Sequence, residues 1–158
     1  MKICYLDFDG VLHDDAVYYS AERGIYVATP GRILFEWMTI LEELLAPYPL
    51  VKLVLSTTWV RQRSLEFAKG KLSPALQARV IGATFDIRET QKLEFDLMSR
   101  GAQVLADVER RLPASWFAID NDSAGWPAAA RPRLVLTDDR LGLSEERVQA
   151  AIKAILTT

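Results

Sequence analysis

Short apolar runs alternate along the chain with stretches of helical period. Ile3 to Leu6, rich in strand formers and closed by Asp-Phe-Asp-Gly, predicts a buried parallel strand that ends in a turn. Leu50 to Leu55, Val80 to Phe85, Trp116 to Ile119 and Leu134 to Leu136 repeat the pattern and predict further strands. Thr29 and Pro30 suit a helix start, and Ile33, Leu34, Trp37, Met38, Leu41, Leu44 and Leu45 trace one apolar face that stops before Pro47. A charged stretch with Leu65 and Phe67 predicts another helix. Arg88 to Arg111 predicts two, broken near Gly101, and Ser144 caps a last helix through Leu156. His13 to Ala28 holds Asp14, Asp15, three tyrosines and Gly24 without a sustained period, and reads as a loop or a small hairpin.

Strands alternating with helices imply a parallel sheet covered on both faces, because right-handed crossovers are the usual connection between parallel neighbours. The expected class is therefore α/β, a three-layer Rossmann-like fold, and 158 residues suit one domain spanning 1–158. Apolar runs fall well short of the roughly 20 residues of a membrane span. Two acids interrupt the N-terminal run, which argues against a signal peptide and sets the expectation of a cytoplasmic protein. Nineteen basic against 21 acidic residues leave a net charge of −2, so no global positive field favours unspecific nucleic-acid binding. A lone cysteine excludes an internal disulfide and a cysteine-rich metal site.

In open sheets of this kind ligands sit beyond the carboxyl ends of the strands, so the residues just past each apolar run become the candidates for chemistry. After the first run come Asp7-Phe8-Asp9-Gly10-Val11-Leu12. Side chains two apart in extended chain share a side, so Asp7 and Asp9 converge while Phe8 turns away and Gly10 lets the chain bend. Crowded carboxylates need a divalent cation or a retained proton, and both solutions are chemically useful. After the second run, Ser56-Thr57-Thr58 offers hydroxyls and backbone N–H groups for an anion such as phosphate; the plain alternative is a helix cap. After the fourth, Asp120-Asn121-Asp122 offers oxygen ligands for Mg²⁺; the plain alternative is an Asx turn. All three follow buried strands in the order acid pair, hydroxyls, acid pair, which makes coincidence the less economical explanation.

This combination resembles the haloacid dehalogenase (HAD) superfamily, whose motifs are an N-terminal DxD, a Ser or Thr after the second strand, a Lys or Arg, and a late acidic motif. Asp7-Phe8-Asp9-Gly10-Val11-Leu12 resembles the first, Val54-Leu55-Ser56-Thr57-Thr58-Trp59 the second and Ala118-Ile119-Asp120-Asn121-Asp122 the fourth. Lys92 and Arg100 both compete for the third, with Arg100 preferred because it begins a helix leading straight into the fourth strand. Ser56-Thr57-Thr58-Trp59, Arg100-Gly101 and Leu141-Gly142-Leu143 are similar to small members of the superfamily, including the phosphatase-like domains of bacterial RNA repair.

The resemblance implies a Mg²⁺-dependent phosphohydrolase. Asp7 would be the nucleophile that forms an aspartyl-phosphate, and Asp9 the general acid and base, its backbone carbonyl on the metal. Ser56, Thr57 and Arg100 would bind phosphate. Asp7, Asp9 and Asp120 would hold Mg²⁺, with Asp122 assisting. Neither gap where such proteins carry a cap domain is long enough here for one, so a minimal or absent cap and an open site are expected. Such a site admits bulky phosphoesters, including nucleic-acid ends, as well as small metabolites. Two other readings share the motifs, a phosphate-binding or interaction module without turnover and a phosphotransferase or mutase. His13, the one histidine, is expected to be a loop residue without a partner, Arg61 and Arg63 a solvated helix face, and the four tryptophans core.

Overall fold

A computed structural model describes residues 1–158. Five strands, β1 (Lys2–Leu6), β4 (Lys52–Leu55), β5 (Val80–Ala83), β6 (Ser115–Asp120) and β7 (Leu134–Leu136), form one parallel sheet in the order β5-β4-β1-β6-β7. β2 (Val17–Ser20) and β3 (Gly24–Val27) pair as a separate antiparallel hairpin, so of the loop and the small hairpin expected for that segment the hairpin forms. These two four-residue strands are the only strands or helices between the first motif and the helix that begins at Met38, too little for a cap domain.

The alternation of side chains along the strands sorts the core into two layers. Cys4, Leu6, Leu53, Leu55, Phe117 and Ile119 point to one face. There they pack under α1 (Met38–Leu45), α7 (Glu146–Leu156) and the short helices α2 (Thr58–Gln62), α3 (Leu65–Lys69) and α4 (Pro74–Gln77). Ile3, Tyr5, Val54 and Ala118 point to the other, under Val104 of α6 (Arg100–Arg111) and Trp126. α5 (Lys92–Asp96) precedes α6. The expected three layers are present.

Several boundaries differ from the sequence reading. The helix expected from Thr29 begins only at Met38, because Gly31 (φ +79°) and Phe35 (φ +57°) adopt left-handed backbone that a helix cannot contain. Arg88–Arg111 does hold two helices, but they part at Leu97–Ser99. Gly101 lies inside α6, whose N-cap is Ser99, accepting from the Ala102 N–H at 3.2 Å. Ser144 does not cap α7: it sits in a 3-10 turn, Gly142–Ser144, and its hydroxyl donates to the Leu141 carbonyl. No helix is long and apolar enough to cross a membrane.

Candidate active site

Strand register builds the site. Leu6 of β1 lies opposite Leu55 of β4 on one side and Ile119 of β6 on the other. The next residue of each strand is Ser56, Asp7 and Asp120, so the three stand in one row at the carboxyl edge. Bonds beyond the ladder extend it: the Ser56 N–H donates to the Leu6 carbonyl at 2.8 Å and the Asp7 N–H to the Ile119 carbonyl at 3.2 Å. β1 is also where the strand order reverses, the place at which such sheets open a crevice.

Arg100 reaches this row from the first turn of α6. Its Nη1 lies 3.4 Å from Asp7 Oδ1 and 3.2 Å from Asp120 Oδ2, and it donates to the Ser56 backbone carbonyl, with Ser56 Oγ 3.5 Å away. The small residue that follows explains how the arginine is aimed. A Cβ on Gly101 would stand 2.5 Å from the Gly125 carbonyl oxygen, and the Gly101 N–H donates to the Ala124 carbonyl at 2.9 Å, so the loop after β6 packs directly on the helix start. Lys92 is exposed on α5 and makes none of these contacts.

Burial decides the electrostatics. The Asp7 and Asp120 side chains are 5 % and 1 % exposed and share one arginine. Desolvation, and the charge of Asp120 beside it, push the Asp7 carboxyl well above the ordinary range; Arg100 offsets only part of this. Burial likewise raises Asp120 against the pull of Arg100. Burial works against the charge on Arg100, yet Asp7 and Asp120 together hold its guanidinium more firmly protonated than usual.

The other two acids behave differently. Asp9 Oδ1 accepts hydrogen bonds from His13 Nε2 at 2.8 Å and Trp59 Nε1 at 2.9 Å. Asp122 is exposed, and its Oδ1 accepts from the Ala124 N–H at 2.8 Å in an Asx turn, while its own N–H donates to Asp120 Oδ1 at 2.9 Å. Thr57 caps α2, its Oγ1 accepting from the Trp59 N–H at 3.4 Å. Gly10 (φ +80°) turns the first loop, and a Cβ there would stand 2.3 Å from Asn121 Nδ2, so the two acidic loops interlock at this glycine.

Sequence reasoning missed two neighbours of Asp9. His13 is fully buried rather than a free loop residue: Asp9 and His13 form a local β-bridge, and the ring contacts the Asp9 carboxylate. Trp59 packs in the core beside Phe8, Phe35 and Phe67 as expected, yet its indole N–H also serves Asp9. The available signal was the i, i+4 spacing of Asp9 and His13. Arg61, expected to be solvated, forms a two-pronged pair with Asp96 at 2.9 and 2.7 Å. Arg63 lies over the rings of Phe67 and Tyr19.

The donor set suits a hard cation. No three carboxylate, imidazole or thiol side chains converge as a ready cage; Asp7 and Asp120 are the pair that converges on Arg100, both held up in proton affinity chiefly by burial. Mg²⁺ typically takes one or two carboxylates and keeps waters for the rest of its shell, so the two acids fit it without a third.

A family model described as the HAD domain in Swiss Army Knife RNA repair proteins matches residues 3–148. No curated protein and no solved structure matches the chain. Family members generally use Mg²⁺ and are typically phosphohydrolases. The match runs from β1 into α7, across every strand and loop that supplies Asp7, Ser56, Arg100 and Asp120, and the chain accordingly belongs to this family of the HAD superfamily.

Proposed function

We propose that the protein is a Mg²⁺-dependent phosphomonoester hydrolase acting through an aspartyl-phosphate on Asp7. The observation that carries this reading is the row of Ser56, Asp7 and Asp120 closed by Arg100 at the carboxyl edge of the sheet. Asp7 and Asp120, with the Asp9 backbone carbonyl that the resemblance adds, would hold Mg²⁺. Bound there, the ion would neutralise charge on the phosphoryl oxygens and let an anionic nucleophile approach.

The chain's own residues do the rest. An Asp7 carboxylate oxygen bonds to phosphorus as the bond to the ester oxygen breaks. Asp9 gives its proton to the departing oxygen, then takes one from the water that hydrolyses the aspartyl-phosphate, which restores both groups. Arg100 offsets the charge of the transferring group, and the Ser56 hydroxyl hydrogen-bonds to it.

The proposed substrate is a bulky phosphoester, with nucleic-acid ends favoured. A half-open cavity of about 500 Å³ runs from Thr57, Arg100 and Asp122 to Arg61. A second of about 920 Å³ continues from Arg61 past Arg63, Arg88, Lys92, Arg110 and Arg111. Asp96 pairs with Arg61, Asp86 with Arg88 and Asp107 with Arg110 and Arg111, which leaves Arg63 and Lys92 as the cations without a carboxylate partner along this open approach; these two support a polyanion beyond the reacting phosphate, and the family's description attaches RNA repair to proteins with this domain. The test is Mg²⁺-dependent phosphate release from end-phosphorylated oligonucleotides, phosphorylated metabolites, phosphopeptides and an aryl phosphate. Oligonucleotide ends should be preferred. Hydrolysis surviving in a folded Asp7→Asn protein would overturn the nucleophile, and phosphate bound without turnover of any substrate would favour a binding module.

A further inference from the structure

We propose that His13 and Trp59 are positioning residues that clamp one oxygen of Asp9, leaving the other to carry the catalytic proton; this rests on the phosphohydrolase reading above.

The argument begins with the imidazole. His13 Nδ1 accepts a hydrogen bond from the Phe35 backbone N–H at 3.0 Å, so the neutral ring carries its hydrogen on Nε2. That hydrogen points at Asp9 Oδ1, 2.8 Å away. The Phe35 amide is available because that residue adopts left-handed backbone at the break before α1. Strain in the segment and tautomer of the ring are thus coupled. The indole of Trp59, held in α2, delivers a second N–H to the same oxygen at 2.9 Å.

Neither donor can drift. The His13 ring is edge-on to Phe35 with centroids 4.9 Å apart, and Trp59 packs against Phe8 and Phe35 at 5.7 and 5.5 Å. Both side chains are buried, whereas the Asp9 side chain is 26 % exposed. Asp9 Oδ2 has no protein partner, yet it is not among the oxygens sealed from solvent. Two donors on Oδ1 stabilise its negative character and fix the carboxyl rotamer, which assigns the movable proton to Oδ2 on the open side. From there it passes to the ester oxygen as the P–O bond breaks. A histidine–carboxylate pair usually serves a base; here the histidine orients an acid.

Leaving-group dependence tests this, because an alkoxide needs a proton from the acid whereas nitrophenolate scarcely does. Trp59→Phe keeps the ring packing and removes the N–H; His13→Gln keeps an N–H donor of similar reach, and His13→Leu removes it. We expect the loss of kcat/KM on benzyl phosphate to exceed that on para-nitrophenyl phosphate by about 10-fold in Trp59→Phe and in His13→Leu. His13→Gln should restore part of it, and neither Trp59→Phe nor His13→Leu should add to Asp9→Asn. Equal losses on both esters, or none, would mean that the two residues merely support the fold. The one histidine also gives an independent spectrum: ¹⁵N signals of the imidazole should show the Nε2–H form in the wild type, and an Nδ1–H form would overturn the clamp. A wild type inert toward every ester would defeat the phosphohydrolase reading and this proposal together; an active wild type without leaving-group dependence in the variants defeats this proposal alone.

Discussion

Two buried ion clusters sit at opposite ends of α6, and they are balanced in opposite ways. At the helix start, Asp7 and Asp120 share the single guanidinium of Arg100. Toward its end the ratio is reversed. Asp107, 1 % exposed, receives Arg111 Nε at 2.7 Å, Arg110 Nη2 at 3.3 Å and the Tyr5 hydroxyl at 2.8 Å. Burial, and Asp107 next to it, push the Tyr5 hydroxyl far up, which keeps it a donor. The Asp107 cluster is satisfied at every oxygen and has nothing left to bind. The Asp7 cluster sets two buried carboxylates against one guanidinium, and burial there raises the proton affinity of both acids. Burial alone therefore does not separate the acid pair proposed to act from the acid that only holds the fold; the count of compensating partners does.

Substitutions at the two ends should separate these roles. The largest effect is expected for Asp7→Asn, which should lower turnover by more than about 10³-fold, as loss of a nucleophile does, while the protein stays folded by circular dichroism. Arg100→Met should lower kcat by about 10²- to 10³-fold, with Arg100→Lys intermediate because it restores the charge but not the guanidinium reach by which Nη1 meets Ser56, Asp7 and Asp120 together. Retained activity in Arg100→Met would break the comparison at its functional end. Asp107→Ala should do the reverse: lower unfolding stability by about 3 kcal/mol in urea titration, and leave turnover per folded molecule within about twofold. A catalytic defect there, with stability intact, would erase the distinction between the clusters.

The smallest effect is the pH dependence of stability without Mg²⁺. Asp7 and Asp120 bind protons more tightly in the folded protein than their ordinary value of 3.8. Between that value and the raised ones the folded state holds the extra protons, so their contribution to stability falls as pH rises through this window. Asp7→Asn should flatten the decline, and Mg²⁺ should reverse it at neutral pH, both read from the urea midpoint as a function of pH. An identical slope in wild type and variant would show that the acid pair is not under strain.

The alternation of strands and helices, the carboxyl-end position of the acids and the place of Arg100 at a helix start were legible in the chain because each is a local property of a run and the residues beside it. The start of α1 was not, since left-handed Phe35 is fixed by contacts from His13 that lie far back in the sequence. The roles of His13 and Trp59 were hidden for the same reason. The i, i+4 spacing of Asp9 and His13 hinted at one contact, but no period or spacing brings Trp59, 50 residues on, to the same oxygen of Asp9.

Sequence by itself determined which residues end the strands, because apolar runs must be buried and polar residues must follow them out of the core. Tertiary structure alone decided which of those residues share one row. Parallel pairing of β1 with both β4 and β6 sets Ser56, Asp7 and Asp120 side by side, and register is a property of neighbouring strands rather than of any one segment. It also decided that Asp7 and Asp120 would have one arginine between them and Asp107 two, a count made by the packing of α6 against the sheet.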